Sequence, residues 1–312
     1  MSKFQAPAQR RMDAVDWTNL AILSVMWGCA FFFLAIQLRE LPPFTIVLLR
    51  VGLAALLLLG WAAVTRMSLP GPKLWPAFLV LALLNNVVPF ALYGFAQQHI
   101  ASALAGILNA TTPLWGVLVA HLFTRDERAT SAKIVGVLLG FAGVVTMIGG
   151  DALGRLGGNT LAQAACLAAT LSYAFAAVWS RRFAAAGVKP LSVATGQLTA
   201  AAIVMIPLAA IVDRPWTMAM PGPAVWGAVA GMVLVSTVFA YVLYFRLVER
   251  AGASNSLLVT FTIPVVAILL GVAVLGETLM AKHFIGMALI ALGLAAIDGR
   301  PWARLRGGDR VA

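Results

Sequence analysis

The chain reads as an all-α polytopic membrane protein: ten transmembrane helices arranged as two inverted five-helix repeats. Three observations lead there. The composition is 62% hydrophobic and 11% charged, against about 45–50% apolar and about 25% charged in soluble proteins. Too few charges remain to cover a water-soluble surface. Ten near-continuous apolar runs follow, each close to the roughly 20 residues that cross a bilayer as a helix. Trp75 to Pro113 then aligns without a gap to Trp226 to Pro264 at a constant shift of 151.

The elements follow in order. Lys3, Arg10 and Arg11 precede a first run at 17–38, too long for a signal-peptide core and without a clear cleavage site, so it is read as a retained span. The second, 44–65, is opened by Pro43, suited to the first helical turn. Runs at 74–97, 100–123 and 132–150 complete the first repeat, 17–150. An outer linker, 151–159, leads to runs at 159–181, 190–212, 223–246, 251–275 and 280–298, which form a second repeat over 160–298. Residues 299–312 are a basic tail. Lipid-embedded backbone must satisfy itself, and continuous apolar runs do so as helices, not as the alternating strands of a barrel.

Within the repeat Tyr93 pairs with Tyr244, Glu127 with Glu277, Gly136 with Gly286, and Gly143 with Gly293. Pro43 pairs with Pro190 and Arg50 with Gln197. Because five is odd, the second copy enters the membrane from the opposite face. Inverted repeats are a recurrent architecture of secondary transporters. Lys and Arg fall unevenly: seventeen on the face of the N-terminus, among them Arg66, Lys73, Arg181, Arg182, Arg246 and Arg250, against Arg39, Arg155, Arg214 and Lys282 on the other. The bias puts both termini in the cytoplasm. The net charge of +11 is spread along loops and forms no nucleic-acid patch. Cys29 and Cys166 lie in apolar runs without metal or redox spacing.

Candidate site residues come from buried polarity. Proline removes a helical hydrogen bond to the carbonyl four residues before it, so Pro89, Pro113 and Pro264 free the carbonyls of Asn85, Asn109 and Thr260. These prolines are read as helix kinks. Polar side chains at midplane depth should face a cavity or a neighbouring helix. Asn85, Asn109, Thr112, Thr260 and Thr262 are therefore candidate substrate ligands, with interhelical glue as the plain alternative. Trp27 and Tyr173, at matching places in the two repeats, are candidate stacking residues. Trp17, Trp75, Trp216 and Trp226 read as interface anchors. Arg50, the one formal charge well inside a span, is read as a gating residue that can also attract a substrate carboxylate. No Asp or Glu lies centrally in any span, so no proton relay is expected and transport down a gradient is the simpler expectation.

Met26-Trp27-Gly28, Pro43 with Arg50, Ala101-Ser102-Ala103, and Pro113 before Glu127 occur in an order matched in the second half by Ala253-Ser254, Pro264, and Gly276-Glu277-Thr278. In this the chain resembles the drug/metabolite transporter superfamily, in its ten-helix EamA branch, and is similar to YddG-type amino-acid exporters. The resemblance spans 17–298 and implies export of small metabolites, most often amino acids, across a bacterial cytoplasmic membrane. Gln197 stands where the first half has arginine, and Tyr173-Ala174 where it has Trp27-Gly28. Transport of sugars or nucleotide-sugars is the rival within the superfamily, and a passive channel or a membrane enzyme the rival outside it. No HExxH, GxSxG or Walker A sequence is present. No cofactor or metal is expected. Glycines spaced GxxxG at Gly136 and Gly140, and at Gly227 and Gly231, suggest close packing inside a monomer.

Overall fold

In the computed structural model the described residues are 12–69, 71–124, 130–148, 158–251, 256 and 258–298. All their regular structure is helical. Eight helices are long and apolar enough to cross a membrane and two shorter apolar ones follow. They are α1 (Ala14–Gln37), α2 (Pro43–Val64), α3 (Pro72–Ala96), α4 (Ser102–Phe123), α5 (Ser131–Ile148), α6 (Gly158–Ala185), α7 (Pro190–Val212), α8 (Pro223–Val248), α9 (Val259–Ala273) and α10 (Ala281–Asp298). Most of the expected linker, the basic tail, Glu127 and Ala253-Ser254 lie outside the described residues.

Local sequence sets several starts. Asp13 caps α1 in a reciprocal box with Asp16, which satisfies backbone donors that a helix start leaves open. Prolines sit in the first turn of α2, α7 and α8, where the missing N–H is no loss. Large apolar side chains such as Leu56, Leu138, Ile206 and Leu269 point outward, as lipid-facing residues do.

The most extensive helix pair is α5 with α10. A Cβ on Gly136 would stand 2.5 Å from the carbonyl oxygen of Gly293, and one on Gly143 2.6 Å from that of Gly286. The sequence repeat pairs 136 with 286 and 143 with 293, so these two contacts exchange with one another. The seam is antiparallel and maps onto itself, as inverted repeats require. Gly227, by contrast, has open space around it, while Gly231 packs against Phe33. The second GxxxG pair is therefore not a helix seam.

Among the described residues three transmembrane helices depart from uniform α geometry. In α4 the chain turns at Ala110–Thr111, between Ser102–Asn109 and Thr112–Phe123. In α3 a π-helical turn occupies Leu83–Val87, and in α8 another occupies Leu234–Phe239. The shift of 151 superposes these two π turns. Pro89 follows the first, whereas Ala240 holds its place after the second, so proline is not what makes them. Pro264 corrects an expectation of symmetry: it lies inside a helix continuous from Val259 to Ala273, with no break matching that before Pro113.

At the end of the bundle where α2, α4 and α8 begin, three carboxylates tie the repeats together. Glu277 accepts from the backbone N–H groups of Ser102 and Ala103, at 2.7 and 2.9 Å. Asp213 accepts from both the N–H and the hydroxyl of Thr45, at 2.6 and 2.9 Å. Glu40 accepts from the N–H of Gly222 at 2.6 Å. Each carboxylate meets the start of a helix belonging to the other repeat, the terminus that favours negative charge.

Candidate functional site

A cavity of about 460 Å³ lies between the two repeats, within the range typical of small-ligand sites. At the carboxylate-tied end its wall is made by Leu34, Ile46, Val47 and Phe90, all buried to 8% exposure or less. At the other end the wall is made by Ala177, which is exposed, with Ser180, Val193 and Phe245 half-buried. The cavity is thus sealed at the end where α2, α4 and α8 begin and reached from the opposite one.

The π turns place its polar groups. A π turn adds a residue to the helical turn, frees backbone groups and redirects side chains. In α3 it brings Asn85 into the cavity wall and buries Asn86; the amide Nδ2 groups of both donate to Oε1 of Gln197, at 3.0 and 3.4 Å. In α8 it brings Ser236 into the wall and buries Thr237; Arg50 Nε donates to Thr237 Oγ1 at 3.2 Å. Since Arg50 pairs with Gln197 and Asn86 with Thr237 in the repeat, the two bridges are equivalents: α2 to α8 and α7 to α3. Each π turn is also tied to a helix of the other repeat, by the Ser172 hydroxyl donating to the Leu84 carbonyl at 2.7 Å and that of Ser236 to the Met26 carbonyl at 2.5 Å.

Aromatic contacts obey the same relation. Trp27 packs on Tyr244 with centroids 5.3 Å apart, and Tyr173 stacks with Tyr93 at 6.4 Å. All four line the cavity. The Met26-Trp27-Gly28 stretch now reads one residue at a time: a carbonyl for α8, a ring for the cavity, and a missing side chain where a Cβ would stand 2.5 Å from Val266 of α9.

Of the sequence-predicted ligands, Trp27, Asn85, Asn109, Thr112, Tyr173 and Thr260 stand in the wall. Asn109 Oδ1 accepts from the Tyr93 hydroxyl at 2.9 Å. The Asn109 carbonyl that Pro113 frees is taken up by the Thr112 hydroxyl at 2.8 Å. Thr262 does not belong to the wall. Its hydroxyl meets Ser24 of α1 at 2.5 Å and donates to the Val259 carbonyl at 3.0 Å. Two residues along a helix turn through about 200°, so Thr260 and Thr262 cannot face one cavity. Pro264 faces a separate void of about 30 Å³ shared with α4 and α10, and Pro89 is buried behind the wall.

Arg50 also lines the cavity and carries the single formal charge among the described lining residues. Its guanidinium lies over the ring of Phe90, 3.7 Å from the centroid, a cation–π arrangement. Sequence reasoning missed Gln197 and Ser236 as wall residues and left Tyr241, one of the deeper aromatic residues, out of the ligand set. The pairing of Gln197 with Arg50 and of Ser236 with Asn85 was the signal available for the first two.

Comparison with known proteins gives a consistent picture. The model of the "EamA-like transporter family" matches residues 18–149 and again 160–297. The chain is 27% identical over 285 residues to "Uncharacterized inner membrane transporter YedA" of Escherichia coli (strain K12), covering 89% of each chain. It is 24% identical over 282 residues to an "Uncharacterized transporter" of Archaeoglobus fulgidus, covering 89% of this chain and 96% of that one. A solved crystal structure, 23% identical with a TM-score of 0.64, covers 91% of this chain and 96% of its own and shares the fold.

Proposed function

Since the chain belongs to the EamA-like transporter family and is thereby a membrane transporter, we propose that it is a secondary carrier exporting small metabolites, amino acids above all, by alternating access through the central cavity. The carrying observation is the cavity itself, enclosed between the repeats and walled by equivalent residues of both, Trp27 with Tyr173 and Tyr93 with Tyr244. Two near-equivalent halves around one site permit states of similar energy that open to opposite faces. Trp27, Asn85, Asn109, Thr112, Tyr173 and Thr260 bind the substrate, and Thr262 is omitted from that set.

Its size and its aromatic and amide lining support a neutral or aromatic amino acid. A nucleotide-sugar carries a diphosphate, for which one cation is a poor match, so the described wall favours the smaller class. The Lys and Arg bias supports cytoplasmic termini, and the inner-membrane relative supports a bacterial cytoplasmic membrane. In that orientation the cavity faces the cytoplasm, ready to load an export substrate. The glycine seam lies within one chain, which supports a monomer. No carboxylate stands in the described wall, which supports facilitated transport.

Counterflow in proteoliposomes tests this reading. Vesicles loaded with unlabelled phenylalanine or threonine should take up the labelled amino acid saturably and faster than empty ones. Absence of stimulated exchange with every amino acid, from folded protein, would move the substrate to another metabolite class. Accumulation driven by a proton gradient alone would refute the uncoupled mechanism.

A further inference from the structure

We infer that Arg50 is the docking group for a substrate carboxylate, and that the carboxylate, rather than the amino group, is the feature the cavity requires. This rests on the reading that the cavity holds the substrate, and it replaces the gating role that depth alone suggested.

The guanidinium is held but not neutralised. Of its five N–H groups, Nε is committed to Thr237 Oγ1. That hydroxyl donates its own proton to the Met232 carbonyl at 2.8 Å, which leaves its lone pairs for Arg50. Phe90 fixes the plane of the group. Among the described residues the two Nη groups have no hydrogen-bond or ion-pair partner, and neither is among the sealed, unpartnered polar atoms. They open into the cavity. A guanidinium so placed presents two parallel donors, the geometry that matches both oxygens of a carboxylate. A cation out of bulk water with no counter-ion is costly, and an entering anion relieves that cost.

Nothing comparable awaits an ammonium group. The described wall holds no Asp or Glu. Asn109 Oδ1 already accepts from Tyr93, and the Asn109 carbonyl from Thr112. The equivalent of Arg50 in the other repeat is neutral: Gln197 Oε1 accepts from both asparagines while its Nε2 faces the Tyr241 hydroxyl at 3.5 Å. The charge is therefore one-sided. The carboxylate docks at the sealed end beside Phe90, and the apolar body extends toward Trp27, Tyr244 and Tyr173. The ligand class is a monocarboxylate with an aromatic or apolar body, with the amine dispensable.

The experiment is calorimetric titration of the purified, detergent-solubilised protein with two probes of similar shape, 3-phenylpropionate (carboxylate, no amine) and phenethylamine (amine, no carboxylate). The expected result is saturable binding of 3-phenylpropionate at least about tenfold tighter than phenethylamine, a charge-assisted pair being in play. Arg50→Gln should weaken 3-phenylpropionate by about 10- to 100-fold, and Arg50→Lys, which keeps the charge but not the fork, should retain part of the affinity. Equal affinities, preference for phenethylamine, or binding of neither probe would overturn the proposal, as would an Arg50→Gln protein that binds 3-phenylpropionate within about twofold of wild type. The comparison of probes on wild type decides the matter even where the variant does not fold. Binding here alongside failed amino-acid counterflow would overturn the proposed substrate and leave carboxylate docking standing.

Discussion

Gln197 shows how much one side chain can carry. It is buried, accepts from Asn85 and Asn86, and lies between α3, α7 and the Tyr241 hydroxyl of α8. Asn86 is fully buried and its Oδ1 has no partner among the described residues, so its Nδ2 depends on Gln197. A buried donor stripped of its acceptor is worse off than a bond never formed, by about 1–3 kcal/mol. Gln197→Leu should therefore lower stability by about 2 kcal/mol, read as a depressed melting temperature in detergent, and should weaken counterflow by releasing Asn85 within the wall. Residue-scale legibility was mixed for related reasons. Asn85, Asn109 and Thr112 could be found because polarity at midplane depth is itself a signal. Thr262 could not be separated from Thr260 by that signal, since polarity says that a group must be satisfied, not by what. Ser24, its partner, is 238 positions away.

Among elements, α5 and α10 make the sharpest demand on sequence. Their backbones approach until a Cβ at Gly143 would stand 3.0 Å from the Ile290 nitrogen as well as 2.6 Å from the Gly286 oxygen. Backbone cannot yield as a flexible side chain can, and overpacking costs about 1–3 kcal/mol. Gly143→Val should lower the melting temperature by a corresponding amount, and Gly286→Val should do the same because the contact is reciprocal. A Gly227→Val change, with open space around it, should be close to neutral. The spans themselves were legible to within a few residues for most helices, because lipid demands a continuous apolar run. The π turns were not. A π turn changes no composition and needs no proline, as Leu234–Phe239 demonstrates; it arises where packing across the repeats holds an extra residue in the turn. The break in α4 was legible through Pro113, whereas the same residue type at Pro264 left α9 continuous.

For the whole molecule, the inverted repeat was the most productive reading of the sequence, since it anticipates contacts that no single motif reveals. The Arg50–Thr237 and Gln197–Asn86 bridges, the two aromatic pairs and the self-mapping seam all follow its register. What it does not anticipate is where the halves differ. Asp213 caps α2, whose own cap, Pro42, offers no side-chain hydrogen bond. At the other end Ser192, the counterpart of Thr45, makes a neutral bond to the Ser68 carbonyl at 3.0 Å. Removing the charge with Asp213→Asn should weaken closure of the sealed end, since an anion at a helix start contributes about 0.3–1 kcal/mol, more when partly buried. Spin labels on the α1–α2 and α7–α8 connections should then report a larger share of long distances than in wild type.

These three carboxylate caps also bear on kinetics. Under the uncoupled mechanism proposed above, a carrier obeys a Haldane constraint: the ratio of maximal velocity to Michaelis constant is the same measured from either face, because the free energy of an unchanged solute at equal concentrations is zero. Unequal latches at the two ends cannot rectify the flow. They set instead which face the empty carrier presents, and so divide that fixed ratio into a low-velocity, low-constant side and a high-velocity, high-constant side. Weakening a latch should move both parameters together on each face and leave their quotients equal.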